Sequence, residues 1–516
     1  MRRAPILAAL LATLGGCAVG PDYRAPTVQA DARAPFVESK ATPLLSDAAA
    51  APDWWKMFAD PALDRLIADA FAYNTDIRQA VANLRAARGV LAEQRAGLLP
   101  GTTVSGGYDR IREGADSVST STTGGSTGIG VGSGASTIPT GGGPSYYDFN
   151  YYRAGFDASY EVDVFGRVRR SIEAARGQAQ AAQAALDGAR ISIAAQVAQS
   201  YADACGYAAQ ADVARETARL QTDTANLTQR LLDAGRGTRR DVDQARVLVE
   251  QAMAQVPQLE AERRSQLYAL AALTGRTPAE IDGAAAQCRL VPKVKTPIPI
   301  GDGATLLARR PDVRQAERTL ASDTARIGIA TAALFPSVTL GGSATMASSK
   351  FSDLGKARTF SFSVGPAISW NFPNVTVALA QIKEARAGAE GSLAAFQGAV
   401  LTALKETESA LARYSAALEQ NAALARAEVA ADDAARLSRL RFDTGRDNFL
   451  DLLVSERDRA SARAALAQSD MAVADDQVSL FKALGGGWEN APPIANASPG
   501  ARGNNPSVNG IAKPSK

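Results

Sequence analysis

The sequence of 516 residues contains no histidine. Histidine is the commonest general base and the commonest metal ligand, so its absence excludes His-dependent triads and most hydrolase and metal-site chemistry. Aromatic residues make up only 6% of the chain, whereas alanine is frequent. This combination favours long, closely packed helices over a large aromatic core. No constellation of residues indicates an enzyme, a cofactor or a metal site.

The sequence also lacks an excess of either charge. It has 56 Lys and Arg against 53 Asp and Glu, and the two signs are mixed along the chain. A nucleic-acid-binding protein needs a basic patch or stripe, so no nucleic-acid partner is predicted.

The N-terminus begins with two arginines and continues with an apolar stretch over 4–14. At about 11 residues this stretch is too short to span a bilayer and is typical of a signal peptide. It ends in Leu14-Gly15-Gly16-Cys17, which resembles a bacterial lipobox. We therefore predict a signal peptide at 1–16 and a lipid on Cys17, followed by an extended segment over 17–53. The alternative is an ordinary signal peptide with a chance cysteine.

Two other cysteines are present, Cys205 and Cys288. An exported protein meets an oxidising compartment, where such a pair can form a disulfide. Two buried free thiols are the alternative, because spacing in the sequence does not establish proximity.

The clearest organisational signal is an internal repeat. The segment 74–80 returns at 310–316, and Leu99-Pro100 then matches Phe335-Pro336 in the same register. Further on, 232–236 matches 442–446. Each half has a helix, two strands, a long helix, a turn and a second long helix. The predicted division is a first repeat over 54–283, a linker over 284–299, a second repeat over 300–487 and a disordered tail over 488–516.

Four segments alternate apolar and polar residues with a period of two, near 102–110, 153–164, 337–346 and 360–371. This alternation is typical of a transmembrane β-strand, although a half-buried hairpin in water shows it too. Charged or small residues on the opposite face favour the membrane. So do aromatic residues near the expected strand ends, which are Tyr151, Tyr152, Trp370 and Phe372.

Four strands cannot close a barrel, and an open sheet edge is not tolerated in lipid. The chain is therefore predicted to oligomerise. Three copies would supply twelve strands, but the strand count alone does not choose between two copies and three.

No proline interrupts 145–256 or 374–491. Helical patterns run from 166 to a turn at 235 and from 375 to a turn at 445, about 67 residues or roughly 100 Å each. Helices of this length need a coiled-coil or barrel arrangement. A coiled-coil rod is the plainer alternative, but it does not explain the strands.

Both turns are rich in charge. Their charged residues are either ordinary solvated caps or, if the helices form a tube, a ring around its mouth. A ring of carboxylates is a gating device.

The sequence resembles the TolC-like outer-membrane factors, in particular the NodT-type lipoproteins of RND efflux systems. The resemblance covers nearly the whole mature chain. The matching motifs are Cys17-Ala18-Val19-Gly20-Pro21-Asp22-Tyr23, Trp54-Trp55, Arg309-Arg310-Pro311-Asp312-Val313-Arg314, Glu161-Val162-Asp163-Val164-Phe165-Gly166 and Lys482-Ala483-Leu484-Gly485-Gly486-Gly487-Trp488.

This resemblance implies a mixed α and β membrane protein. A homotrimer would form a twelve-stranded transmembrane β-barrel continuous with a long periplasmic α-helical barrel. Such a protein is a lipid-anchored, passive exit duct in the outer membrane. A periplasmic adaptor and an inner-membrane RND-type pump would be its partners. A type I secretion duct and a structural outer-membrane lipoprotein are the alternatives, and the sequence does not specify the cargo.

The resemblance also assigns roles at the turns. Asp447 matches a constricting carboxylate, and with Asp443 and Arg446 it would form the periplasmic gate. The adaptor would dock at a second set of residues, Gly235, Arg236, Gly237, Thr238 and Gly445. Arginine at 236 and 446 departs from the apolar residue that is usual in the family, and we expect tip salt bridges to Asp443 or Asp447.

Overall fold

The structure is a computed structural model that describes residues 18–40, 43–114, 146–373 and 375–489. The helices are α1 Pro61–Tyr73, α2 Thr75–Ala96, α3 Arg167–Asp233, α4 Arg239–Leu273, α5 Gly283–Gln287, α6 Gly303–Arg309, α7 Pro311–Ala332, α8 Val375–Asp443 and α9 Phe449–Ala483. The strands are β1 Leu45–Ser46, β2 Gly101–Gly114, β3 Tyr146–Val162, β4 Ile298–Pro299, β5 Ser337–Ser348 and β6 Phe360–Ser369.

The chain divides into two compact units, and each takes segments from both predicted repeats. The sheet unit comprises Met1–Tyr23, Val90–Ala175 and Asp323–Ala387. The helical unit comprises Arg24–Gly89, Arg176–Ser322 and Gly388–Lys516. Within the described residues, no helix has both the length and the hydropathy needed to cross a bilayer.

The sheet unit is built around four antiparallel strands in the order β2-β3-β5-β6. The register of the three strand pairs places apolar residues opposite apolar residues on one face of the sheet. Val104 lies opposite Phe156, Phe156 opposite Ala344, and Ala344 opposite Phe362. Serines and threonines lie opposite one another on the other face, for example Ser343 and Ser363. The sheet therefore has one apolar and one polar face, as the alternation predicts.

Neither face of this sheet is covered by the part of the chain that the structure describes. Val104, Phe362, Val364 and Ile368 on the apolar face are 72 to 81% exposed. A sheet in water normally buries such a face against another layer. The exposed face therefore requires lipid or another protein surface.

The strand boundaries differ from the predicted ones, most clearly in β3 and β6. β3 begins at Tyr146, so Tyr151 and Tyr152 lie inside the strand and not near its end. β3 also ends at Val162, before Val164, and β6 ends at Ser369, before Trp370. β3 is longer because it pairs with β2 beyond the end of β5, and polar pairs such as Arg112 with Asp148 continue that hairpin.

The helical unit is held together at several separate points along its long helices. Arg310 at the start of α7 is one of them. Its guanidinium donates to the Ala483 carbonyl at 3.0 Å and pairs with Asp312 and Glu406 at 2.6 and 2.8 Å. A Cβ on Gly485 would lie 3.2 Å from the Arg310 Cδ, so glycine allows the chain after α9 to pass this side chain.

Arg309 makes a second set of contacts beside it. It donates to the carbonyls of Ala50 and Ala51 at 2.5 and 2.9 Å and pairs with Glu489 at 2.6 Å. Trp488 lies 4.9 Å from the Arg314 guanidinium. Trp488 and Glu489, the first residues of the predicted tail, are thus held in place, whereas 490–516 lie outside the described residues.

The predicted linker is fixed to α3 and α9. Cys205 and Cys288 form a disulfide with their Cα atoms 5.1 Å apart, although 83 positions separate them in sequence. A bridge that closes a loop of this length typically stabilises the fold by about 2–4 kcal/mol. Further along, the buried Gln477 side chain accepts from the Val294 N–H and donates to the Val294 carbonyl, both at 3.0 Å.

Close to the disulfide, α3 and α9 approach each other at Gly206. A Cβ there would lie 2.7 Å from the Met471 side chain, so glycine is needed for this contact. The side chains of Asp203 and Asp475 lie near each other beside this contact, and the Asp475 Oδ1 is buried without a hydrogen-bond partner among the described residues. Burial and the neighbouring Asp203 raise the pKa of Asp475 to about 8. Asp475 is therefore largely protonated at neutral pH.

We expect this pair to make the protein less stable as pH rises. Folded Asp475 keeps its proton to a higher pH than the unfolded chain, so folding is favoured at low pH. That contribution is complete below the ordinary pKa of about 4 for Asp and is lost as pH passes the raised value. Asp475→Asn cannot ionise at any pH and should flatten the dependence of Tm on pH between 5 and 9.

The measurement is thermal unfolding of the detergent-solubilised protein across this range. Asp458→Asn is the control, because Asp458 lies on the same helix with its side chain 59% exposed. Tyr207 and Asp476 also lie near the pair and remain unchanged in both variants. An equal pH dependence in wild type and Asp475→Asn would contradict the raised pKa of Asp475.

Candidate functional site

The turns that end α3 and α8 have the same backbone geometry. In the first, the Gly235 N–H donates to Leu232 O at 2.9 Å and the Arg236 N–H to Leu231 O at 2.8 Å. In the second, the Gly445 N–H donates to Phe442 O at 2.9 Å and the Arg446 N–H to Arg441 O at 2.8 Å. This pair of bonds is the Schellman motif. It requires a left-handed residue, and the two glycines have φ of +70° and +72°.

The helices that follow the turns begin with side-chain caps. Thr238 accepts from the Asp241 N–H at 3.2 Å, and the Asp241 carboxylate accepts from the Thr238 N–H at 3.0 Å. Asn448 accepts from the Asp451 N–H at 2.9 Å. Caps of this kind contribute about 1 kcal/mol each. Both reversals are therefore defined local structures, and Gly235, Arg236, Thr238, Gly445 and Arg446 are exposed on them.

Asp447 forms the main ion pair of the second turn. Its carboxylate accepts from the Arg441 Nε at 2.8 and 2.9 Å, across the turn from the last residues of α8. The Arg441 guanidinium lowers the pKa of Asp447. Asp447 thus remains ionised at neutral pH, and its charge is matched by a cation of the same chain.

The expected salt bridge from Arg446 to Asp443 or Asp447 is absent from the described residues. The Schellman turn points Arg446 outwards as the residue after the left-handed glycine, while Arg441 faces Asp447. The sequence-predicted gate residues lie within one turn, but the partner of Asp447 is a residue that the sequence reasoning missed. Arg441 and Asp447 are six positions apart across a helix end and a glycine turn, and this spacing was the signal in the sequence for their pairing.

The predicted lipid site at Cys17 lies outside the described residues, but the residues after it are held closely. The Val19 N–H donates to Phe165 O at 3.2 Å. Arg170 donates to the carbonyls of Val19 and Gly20, both at 3.3 Å, and pairs with Asp22 at 2.7 Å. Gly20, with φ of +90°, lies against the Gly328 backbone of α7. These contacts fix the chain just after position 17 at the junction of β3 and α3.

Pairs of aromatic residues lie at both ends of the apolar face of the sheet unit. At the end nearest α2 and α3, Trp370 lies 4.8 Å from Phe372, and its Nε1–H donates to Leu334 O at 3.1 Å. At the other end, the rings of Tyr108 and Tyr152 are 4.9 Å apart, and Phe351 lies 5.7 Å from Tyr152. Such belts are typical of the two interfaces of a membrane.

Comparison with known sequences places these features in a family. The profile of the family described as "Outer membrane efflux protein" matches residues 66–276 and 304–486. Nodulation protein T of Rhizobium leguminosarum bv. viciae is 29% identical over 486 residues, which cover 94% of this chain and 93% of that protein. The antibiotic efflux pump outer membrane protein ArpC of Pseudomonas putida is 30% identical over 491 residues, covering 94% and 95%.

Solved structures agree with this assignment. The outer-membrane channel OprN superposes with a TM-score of 0.80 at 32% identity, over 92% of this chain and all of that one. The open state of the Neisseria gonorrhoeae MtrE outer membrane channel gives 0.77 at 29% identity, over 92% and 99%. The chain therefore belongs to the outer membrane efflux protein family and is a subunit of an outer-membrane efflux channel.

Proposed function

We propose that three copies of this chain form a lipid-anchored exit duct, with a twelve-stranded barrel in the outer membrane and a helical barrel in the periplasm. The duct is passive, and a periplasmic adaptor and an inner-membrane RND-type pump deliver its substrates. The observation that carries this proposal is the four-stranded sheet with an exposed apolar face. ArpC, named as part of an antibiotic efflux pump, supports efflux in place of the secretion and purely structural alternatives.

The outer strands of the sheet support closure by other copies. Among the described strands, β2 pairs only with β3 and β6 only with β5. Their outer backbone groups would be left unpaired in lipid, where each costs several kcal/mol. Pairing β2 of one copy with β6 of the next satisfies both edges, and three copies give a closed barrel of twelve strands.

The height of the apolar face fits a membrane. It runs along β3 from Tyr152 to Val162, which is about 34 Å of strand at the usual rise per residue. A strand tilt of about 40° reduces this to about 25 Å, the height of the apolar band of outer-membrane barrels.

The N-terminal contacts support lipidation of Cys17. Ala18 packs directly against Gly166. A Cβ added to Gly166 would lie 2.7 Å from the Ala18 Cα. Ala18 is therefore held near the end of β3, at the same end of the sheet as Trp370 and Phe372. Acyl chains on Cys17 would enter the membrane beside the barrel rim.

Lipidation is tested by metabolic labelling. The wild-type protein should incorporate labelled palmitate, whereas Cys17→Ser should incorporate none because the acceptor thiol is lost. Cys288→Ser is the matched control and should be labelled normally. Label retained in Cys17→Ser would exclude this site.

The turns at 233–238 and 443–448 supply the gate and the docking surface in this proposal. Asp447 would line the periplasmic entrance, with Asp443 and Arg446 beside it and Arg441 as its counter-ion. The adaptor would contact the exposed first turn at Gly235, Arg236, Gly237 and Thr238, together with Gly445. Their exposure and their defined backbone support this assignment, and a photocrosslinker at position 446 should capture the adaptor.

The gate is tested by single-channel conductance in planar bilayers. Asp447→Ala should raise conductance because it removes the pair that holds the turn. Arg441→Ala should raise it as well and should increase cation selectivity, since it leaves a ring of unmatched carboxylates. The conductance of the double variant should differ little from that of either single variant, because both substitutions break the same Arg441–Asp447 pair.

Arg436→Ala is the control for these changes. Arg436 pairs with Asp433 at 3.2 Å on the surface of the same helix, and the loss of such an exposed pair should leave conductance unchanged. A wild-type channel that is already wide open, or equal effects of Arg436→Ala and Arg441→Ala, would contradict the gate.

A further inference from the structure

At one end of the sheet, charged and polar residues abruptly replace the apolar residues on the apolar face. Along β2, Val104 and Tyr108 lie on this face, and the next two residues on it are Arg110 and Arg112. Their partners on β3 change in step, from Tyr152 to Asn150 and then Asp148. The ladder is continuous over these positions, so both arginines lie on the same face as the apolar belt. A lumenal role would place them on the other face.

The rise per residue of β2 gives the distance of Arg110 and Arg112 from the apolar belt. Tyr108 and Tyr152 form the aromatic end of the belt, and the Tyr108 hydroxyl donates to the Asn150 side chain at 3.0 Å. Arg110 and Arg112 follow at two and four residues, or about 7 and 14 Å along the strand. With the strand tilt these distances become about 5 and 10 Å in depth, which is the depth of lipid headgroups.

The two guanidinium groups are directed at one carboxylate and remain accessible. Arg112 binds Asp148 at 2.7 Å and Arg110 approaches it at 3.5 Å. The arginine side chains nevertheless remain 67 and 69% exposed. A guanidinium presents several N–H donors in a planar fork, so a group already bound to a carboxylate can still bind a phosphate.

We propose that Arg110 and Arg112 form a binding site for the phosphate groups of the outer-leaflet glycolipid, at the rim of the barrel that faces away from the helices. The proposal rests on the barrel proposed above, because the belt must face lipid. Anionic headgroups attract basic side chains that lie just beyond the hydrocarbon region. The site holds the outer end of the β2–β3 hairpin at a fixed depth in the leaflet.

A purely structural role is the competing explanation. Arg112 and Asp148 are directly opposed, and a cross-strand pair of this kind stabilises a hairpin whatever lipid surrounds it. In that case, removal of the arginines would lower stability equally in all lipids. The lipid site instead predicts an effect that depends on the lipid phosphate.

The test compares thermal stability of the purified protein in micelles containing diphosphoryl lipid A with that in phosphatidylcholine. Lipid A should raise the Tm of the wild type by several degrees, and 0.5 M NaCl should reduce the rise. Arg110→Gln with Arg112→Gln should remove more than half of it. Inorganic phosphate at the same concentration should produce no rise, and an equal rise would identify a free-anion site and contradict the proposal.

Arg153→Gln is the matched control, because Arg153 pairs with Asp109 at 3.6 Å on the polar face and is 55% exposed. The Arg153→Gln variant should keep the full rise in Tm that lipid A produces. Replacement of both arginines by lysine should keep most of it, which covers the case in which the glutamine variant folds poorly. A full rise in the glutamine variant, or an equal loss in Arg153→Gln, overturns the site. Conductance of the same preparations reports on the channel separately.

Discussion

Backbone hydrogen bonding at the edges of one sheet is the constraint on which the rest of this molecule depends. A strand in lipid has no water to satisfy its N–H and C=O groups, so each edge must find a partner strand. Within the described chain β2 and β6 have one neighbour each. The exposed apolar face, the aromatic belts and the change to Arg110 and Arg112 beyond Tyr108 are all consistent with a sheet that closes only with other copies.

The helical unit meets a different difficulty. Helices as long as α3 and α8, with 67 and 69 residues, cannot be enclosed by one core. The chain instead fixes them at separate points that use specific chemistry. Arg309 and Arg310 hold three chain segments, and the Cys205–Cys288 bridge and Gln477 hold the linker. The motifs most useful for recognising the family thus include residues that hold the fold together.

Much of this fold could be predicted from the sequence, because its strongest signals are periodic. Alternation revealed the four strands, and the absence of proline with a glycine in each turn revealed the long helices and the points where they reverse. The length of β3 was missed, since the hairpin continues through charged pairs such as Arg112 with Asp148 and not through apolar ones. Membership of the family was confirmed by sequence and structure comparison.

The contacts within the candidate sites were harder to predict, because they depend on which side chains meet. Arg446 was expected to pair at the gate, but the turn geometry brings Arg441 to Asp447. The sequence left the pairing of Cys205 with Cys288 open because 83 positions separate them. Asp203 and Asp475 belong to no motif, and it is the packing of α3 on α9 that makes them neighbours.

Cross-linking between the sheet edges tests the central claim most directly. The order β2-β3-β5-β6 puts the two edges about 14 Å apart within one chain. With cysteines introduced at Ser105 on β2 and Ser363 on β6, a thiol cross-linker shorter than 10 Å can join only different chains. The account predicts covalent dimers and trimers from outer membranes, with no larger species. Monomers alone, a series that stops at two chains or one that continues beyond three would contradict it.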